Sequence, residues 1–212
     1  IPVNYKGANK SVGGAGRIAY RDEESGLSFL AVLSKSEAEE LEPNGAPAKY
    51  VNDAEISTKA ALLNVNKQIN PSNKIGFTID TYSKDSDIAR ASGNLSTGYF
   101  NYTKQESDIK QTKNRYIFSW EHDAIDKTNF VDNLKAKIYY QDYETKDNWN
   151  EFQAQKFFYG SLLNQDRDVY SRYKLIDDSY GLDLQLGSNI NNHKLTYGLD
   201  YSLTSNEYSQ DK

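Results

Sequence analysis

Cysteine and methionine are absent from the 212 residues, proline occurs only 4 times and histidine only 2. Without cysteine there is no disulfide framework, and no thiolate to ligate a metal or act as a nucleophile. Without methionine the chain does not begin at its own initiator, so a mature or excised piece is expected. No stretch approaches the roughly 20 apolar residues of a transmembrane helix. The start, IPVNYKGANK, also lacks the apolar core of a signal peptide. Helical membrane proteins are therefore excluded. Basic clusters are missing as well: 25 Lys and Arg stand against 30 Asp and Glu, net charge −5, dispersed along the chain. That dispersion argues against a footprint for nucleic-acid phosphates.

What the chain has in plenty is tyrosine, 17 residues of it, and alternation. HKLTYGLDYSLTS, 193–205, places Leu195, Tyr197, Leu199, Tyr201 and Leu203 on one parity, with Thr196, Gly198, Asp200, Ser202 and Thr204 on the other. Such period-two patterning marks a strand with one apolar face. It recurs over 13–22 (Ile18, Tyr20), 26–36 (Leu27, Phe29, Ala31, Leu33), 56–67 and 73–84 (Ile75, Phe77, Ile79). Four more strands are predicted at 114–123 (Tyr116, Phe118, Trp120), 133–145 (Leu134, Ala136, Ile138, Tyr140), 177–189 (Tyr180, Leu182, Leu184, Leu186) and 193–204. Helical periodicity over three turns hardly appears, and the chain reads as all-β.

Three features favour a membrane barrel over an ordinary core. The runs are about 10 to 13 residues, against about 5 or 6 for a globular strand and about 9 to 11 for a tilted transmembrane one. The connections alternate: 22–26, 69–73, 124–132 and 190–192 are short, whereas 37–55, 85–113 and 147–176 are long, as in outer-membrane barrels with short periplasmic turns. Tyr20, Tyr82, Tyr116, Trp120, Tyr140, Tyr180 and Tyr201 lie in or near strand ends, where such barrels carry aromatic girdles. The expected fold is an antiparallel up-and-down transmembrane β-barrel, about eight strands of it, residues 1–212 forming one barrel segment in the bacterial outer membrane. A complete eight-stranded barrel serving as adhesin or anchor, and a soluble ligand-binding β-barrel, are the alternatives.

The sequence offers little for catalysis, and no enzyme is expected. His122 and His193 have no metal-ligand spacing around them and read as polar residues at strand ends. VGGAG, 12–16, lacks the Lys-Ser/Thr and the helix of a phosphate cradle, and EAEELE, 37–42, reads as a solvated charge run. No metal or intrinsic cofactor is expected. Rings are concentrated instead in the long connections: Trp149, Phe152, Phe157, Phe158 and Tyr159 in 147–176, with a short amphipathic helix over 150–163, and Tyr99, Phe100 and Tyr102 in 85–113. Exposed rings mark contact surfaces, because they bury much area at small entropic cost. These eight residues are the candidate ligand-binding set, and packing of the rings against one another over the barrel mouth is the alternative.

AALLNVNKQINPSNKIGFTIDTYSKDSDI (60–88), NRYIFSWEHDAIDKTNFVDNLKAKIYYQDYET (114–145) and YGLDLQLGSNINNHKLTYGLDYSLTSNEYSQDK (180–212) resemble barrel segments of TonB-dependent outer-membrane receptors. The likeness is to the branch that takes up haem from haemoglobin, with the transferrin and lactoferrin receptors nearby, and it runs over most of 13–212. The resemblance implies a slice of a barrel of about 22 strands. It implies haem as a transported ligand rather than a cofactor, and as partners haem or a host iron protein such as haemoglobin, outer-membrane lipid, and TonB acting through a plug domain. No plug, TonB box or terminal aromatic residue is recognisable here. The family's FRAP and NPNL motifs have no counterpart either, so no haem ligand is carried over.

Overall fold

Alternation of side chains dictates extended backbone, and extended backbone requires neighbours for its N–H and C=O groups. The computed structural model describes residues 3–6, 11–39, 53–90, 100–124, 131–155, 165–190 and 193–211. They form a single nine-stranded antiparallel sheet in which each strand pairs with its neighbours in sequence. The strands are β1 (Val3–Lys6), β2 (Ser11–Asp22), β3 (Leu27–Glu39), β4 (Asp53–Asn70), β5 (Asn73–Arg90), β6 (Phe100–Asp123), β7 (Asn133–Gln155), β8 (Gln165–Ile190) and β9 (His193–Asp211). The eight expected strands are all present, and the short β1 pairs Val3–Lys6 with the start of β2. The expected all-β up-and-down topology is thus observed. Among the described residues β9 pairs only with β8 and β1 only with β2, so the described sheet is open.

The short turns follow from their residues. In 23–26, Asp22 Oδ1 accepts from the Glu24 N–H at 3.1 Å, and Gly26 takes φ 66°, a left-handed conformation that glycine adopts without penalty. Between β4 and β5, Asn70 Oδ1 accepts from the Ser72 N–H at 3.0 Å and from Asn73 Nδ2 at 2.9 Å, closing a two-residue turn around Pro71 and Ser72. After β6, the Ala124 N–H donates to the Asp132 carbonyl at 2.7 Å and the Asp132 N–H to the Gly187 carbonyl at 2.8 Å. The buried Asp132 carboxylate also accepts from the Asn189 N–H, tying this turn to the end of β8.

Register carries the alternation across the sheet. Ile18, Ala31, Leu63, Ile79, Tyr116, Tyr140, Tyr180 and Leu203 are successive cross-strand partners from β2 to β9. The next rung on that face is Tyr20, Phe29, Val65, Phe77, Phe118, Ile138, Leu182 and Tyr201. No polar residue interrupts either rung. The opposite face interleaves charge: the rung beginning at Arg17 continues through Val32, Leu62, Asp80, Arg115, Gln141, Ser179 and Thr204. Tyr82, expected in an aromatic girdle with the other rings, lies on this polar face opposite Ala60 and Lys113, because it stands three positions, an odd offset, from Ile79.

The hairpins are staggered. Leu27, at the mouth of the first hairpin, connects through Lys67, Ile75, Trp120 and Ala136 to Leu184 on β8. β8 then runs six residues further, to Ile190, before its turn. Six residues of about 3.3 Å against five strand spacings of about 4.8 Å correspond to strands inclined by roughly 40° to the line of turns.

At the other edge the structure corrects the expected long connections. β3 continues to Glu39, β5 to Arg90 and β7 to Gln155, while β4 begins at Asp53, β6 at Phe100 and β8 at Gln165. The described strands from β4 to β9 run 18 to 26 residues, beyond the expected 10 to 13. Strand also replaces the expected helix over 150–155, while 156–163 lies outside the described residues. The reason is that pairing needs only backbone partners, which Gln105↔Glu151 and Glu151↔Val169 supply although both faces have become polar.

Candidate functional site

The extended edge is where the candidate rings were expected, and the structure divides them. Trp149 and Phe152 sit on β7, three residues apart, and therefore on opposite faces of the sheet. Trp149 shares the polar face with Ser107 and Ser171, its cross-strand partners, both buried, and its indole Nε1 donates to Glu151 Oε2 at 3.3 Å. Phe152 lies opposite Lys104 and Asp168 on the other face. The backbone of Phe100 and Tyr102 belongs to the start of β6. Tyr99, Phe157, Phe158 and Tyr159 lie outside the described residues. No common aromatic surface of Trp149 and Phe152 is formed.

The apolar face is the more open of the two. Ile18 is 67% exposed, Tyr180 57% and Leu203 58%, whereas Leu62, Asp80, Arg115 and Gln141 behind them are half-buried. Its upper margin carries a row of rings in contact: Tyr116 stacks on Tyr140 at 6.3 Å between centroids, and Tyr140 meets Tyr180 in a tilted arrangement at 4.9 Å. Tyr20 stacks on Phe29 at 5.5 Å.

The polar face pairs its charges between neighbouring strands. Lys74 lies 3.5 Å from Glu121, Lys113 3.8 Å from Asp80 and Lys137 3.7 Å from Asp183. Asn64 Nδ2 donates to Thr78 Oγ1 at 2.7 Å, and Ser179 and Thr204 share a hydrogen bond of 3.0 Å. The Arg115 guanidinium stands 4.8 Å over the Tyr139 ring, which itself lies against Gly181, where an added Cβ would collide with the ring. Sequence reading missed this Arg115, Tyr139 and Gly181 group. Alternation placed each of them on the polar face, but only register brings Tyr139 opposite Gly181.

The histidines are where a bland reading puts them. His122 Nδ1 and Asn73 Oδ1 are 2.9 Å apart at the β4–β5 turn, and His193 opens β9 in solvent. Among the described residues no three His, Cys, Asp or Glu side chains come together as a metal site. Beyond the apolar face, charges are paired within the strand extensions. The Glu144 carboxylate contacts Lys146 and lies 3.8 Å from Lys174, and its pKa is lowered by the Lys146 hydrogen bond first, against an opposing loss of hydration, with the charges of both lysines adding to the drop. No helix among the described residues is long and apolar enough to cross a membrane.

Compared with known proteins, the chain matches no family model, and no curated protein matches it significantly.

Proposed function

We propose that this chain is part of the wall of a bacterial outer-membrane β-barrel, a segment of a TonB-dependent receptor that takes up an iron source, haem or haemoglobin. The observation that carries the membrane reading is the apolar face: two uninterrupted eight-strand rungs, eleven of their sixteen residues exposed and the rest half-buried, backed by a polar face of paired charges. Water penalises such a surface, since soluble monomers rarely expose apolar patches above a few hundred Å2. Hydrocarbon favours it, provided every backbone group is paired and the polar face lines a hydrated lumen.

The stagger supports the same reading. Turns that lie in one membrane plane demand inclined strands, and the roughly 40° that the register gives falls within the 35–45° range of barrels. The closer packing of the polar face fits a sheet curved toward it. In this orientation 23–26 and 71–72 are periplasmic, and the extensions of β3 to β8 rise into the external medium. Within a barrel, β9 needs a further strand on its free edge.

The cargo rests on the resemblance. Soret titration of the full-length protein in detergent with haemin, then with haemoglobin, tests it. Saturable binding weakened by replacing 147–176 is expected; a folded barrel that binds neither removes the haem assignment. Recovery of the full-length protein in the soluble fraction, monodisperse without detergent, overturns the membrane reading itself.

A further inference from the structure

We propose that the margin of the apolar face where Lys35 meets Lys59 binds the phosphate headgroup of a membrane lipid; the inference rests on the bilayer reading above. Lys35 on β3 and Lys59 on β4 are direct cross-strand partners, one rung beyond Leu33 and Ala61. Like charges directly opposite destabilise a sheet, so this pair calls for an anion. Glu37 supplies part of one: its carboxylate lies 2.6 Å from Lys35. The trio still carries one net positive charge, and Lys59 has no salt bridge among the described residues.

Beside the lysines and one rung below them the same face is hollowed. Small side chains at Gly14 and Ser83 on the lysine rung, and at Gly16, Ala61 and Thr81 one rung below, leave a groove of about 820 Å3, flanked by Leu33 and the two lysines. The space at its edge is open, since a Cβ added at Gly16 meets nothing within 4 Å. A groove at the margin of the apolar face that carries a cation pair on its outer rung and Leu33 and Ala61 on its inner one matches a ligand with an acyl chain and an anionic head. Its position fits as well: one rung is two residues, about 6.8 Å along a strand, so the ammonium groups reach headgroup depth while the groove stays at the hydrocarbon boundary. Lysine is suited to phosphate as a point charge, and its stem lies along apolar surface while its head reaches water.

Native mass spectrometry of the full-length protein in a non-ionic detergent tests this with dioleoyl phosphatidic acid, dioleoylglycerol and inorganic phosphate. Wild type is expected to retain phosphatidic acid, and the double variant Lys35→Gln with Lys59→Gln to lose roughly tenfold in affinity, as expected when charge-assisted hydrogen bonds are removed. Lys84→Gln, on the opposite face, is expected to bind as wild type does, and dioleoylglycerol to bind wild type and double variant equally weakly. Gly16→Leu fills the groove without altering charge and is expected to weaken phosphatidic acid alone. Equal affinity of wild type and double variant overturns the proposal, as does no effect of Gly16→Leu. Inorganic phosphate bound as tightly as the lipid overturns the lipid assignment in favour of a free anion. Unchanged heat-modifiable migration shows that each variant is folded, and a protein that leaves the membrane fraction without detergent would mark failure of the bilayer reading instead.

Discussion

At the scale of single residues the glycines separate packing from permissiveness. Tyr139 occupies the room that a side chain at position 181 would fill, while nothing stands within 4 Å of a Cβ at position 16. Gly181→Ala is therefore expected to displace the Tyr139 ring and disturb the Arg115 guanidinium over it, costing about 1 to 3 kcal/mol, the usual price of overpacking. Gly16→Ala is expected to stay within about 0.5 kcal/mol of wild type. Urea unfolding of the full-length protein in lipid, read by tryptophan fluorescence, compares the two. A Gly181→Ala cost as small as that of Gly16→Ala would mean that the ring has a second resting place.

At the scale of elements, the turns and the extensions behave differently toward acid and toward mutation. The folded-state pKa of Glu144 is depressed, so its contribution to stability is present above the ordinary glutamate value of 4.5 and is lost as pH falls through the lower folded value. The group is largely hydrated, which limits the contribution to less than about 1 kcal/mol. Amide protection between β7 and β8 near Lys174, with the intrinsic pH dependence of exchange divided out, is expected to fall as the pH drops below 4.5 in wild type, and to show less pH dependence in Glu144→Gln. The short-turn edge depends instead on Asp132, whose carboxylate holds the Asn189 N–H. Asp132→Ala leaves that donor without its acceptor, at a cost of about 1 to 3 kcal/mol, and is expected to raise amide exchange at 187–190 ahead of the rest of β8. The sequence made the first kind of element legible and hid the second. Within 193–204 alternating Leu and Tyr declare both the strand and its face, and Asn70, Pro71 and Ser72 declare their turn. Residues 104–113 and 143–152 alternate in nothing, because both of their faces meet polar surroundings; their strand character comes from neighbours such as Asp108↔Asn148, which no local pattern records. The division of Trp149 from Phe152 was hidden for the same reason, since parity has no meaning until a segment is known to be extended.

At the scale of the whole molecule, solvent decides what the apolar face means. Leu199 lies midway along the apolar positions of β9 and is 58% exposed, so an arginine there meets no side chain that it must expel from a core. In water Leu199→Arg would change stability by no more than about 0.5 kcal/mol, the usual range for surface substitutions. In a bilayer the same substitution sets a guanidinium on the lipid side near the midplane, which costs about 2 to 4 kcal/mol. Ser202→Arg, on the polar face of the same strand, is expected to fold nearly as wild type, because a hydrated lumen receives the charge. Folded fractions of the three full-length proteins in lipid vesicles across a urea series give the comparison directly. A loss confined to Leu199→Arg follows from lipid contact on one face; equal tolerance of both arginines would require that face to meet water, and the barrel reading, together with the lipid site at Lys35 and Lys59, would fall with it.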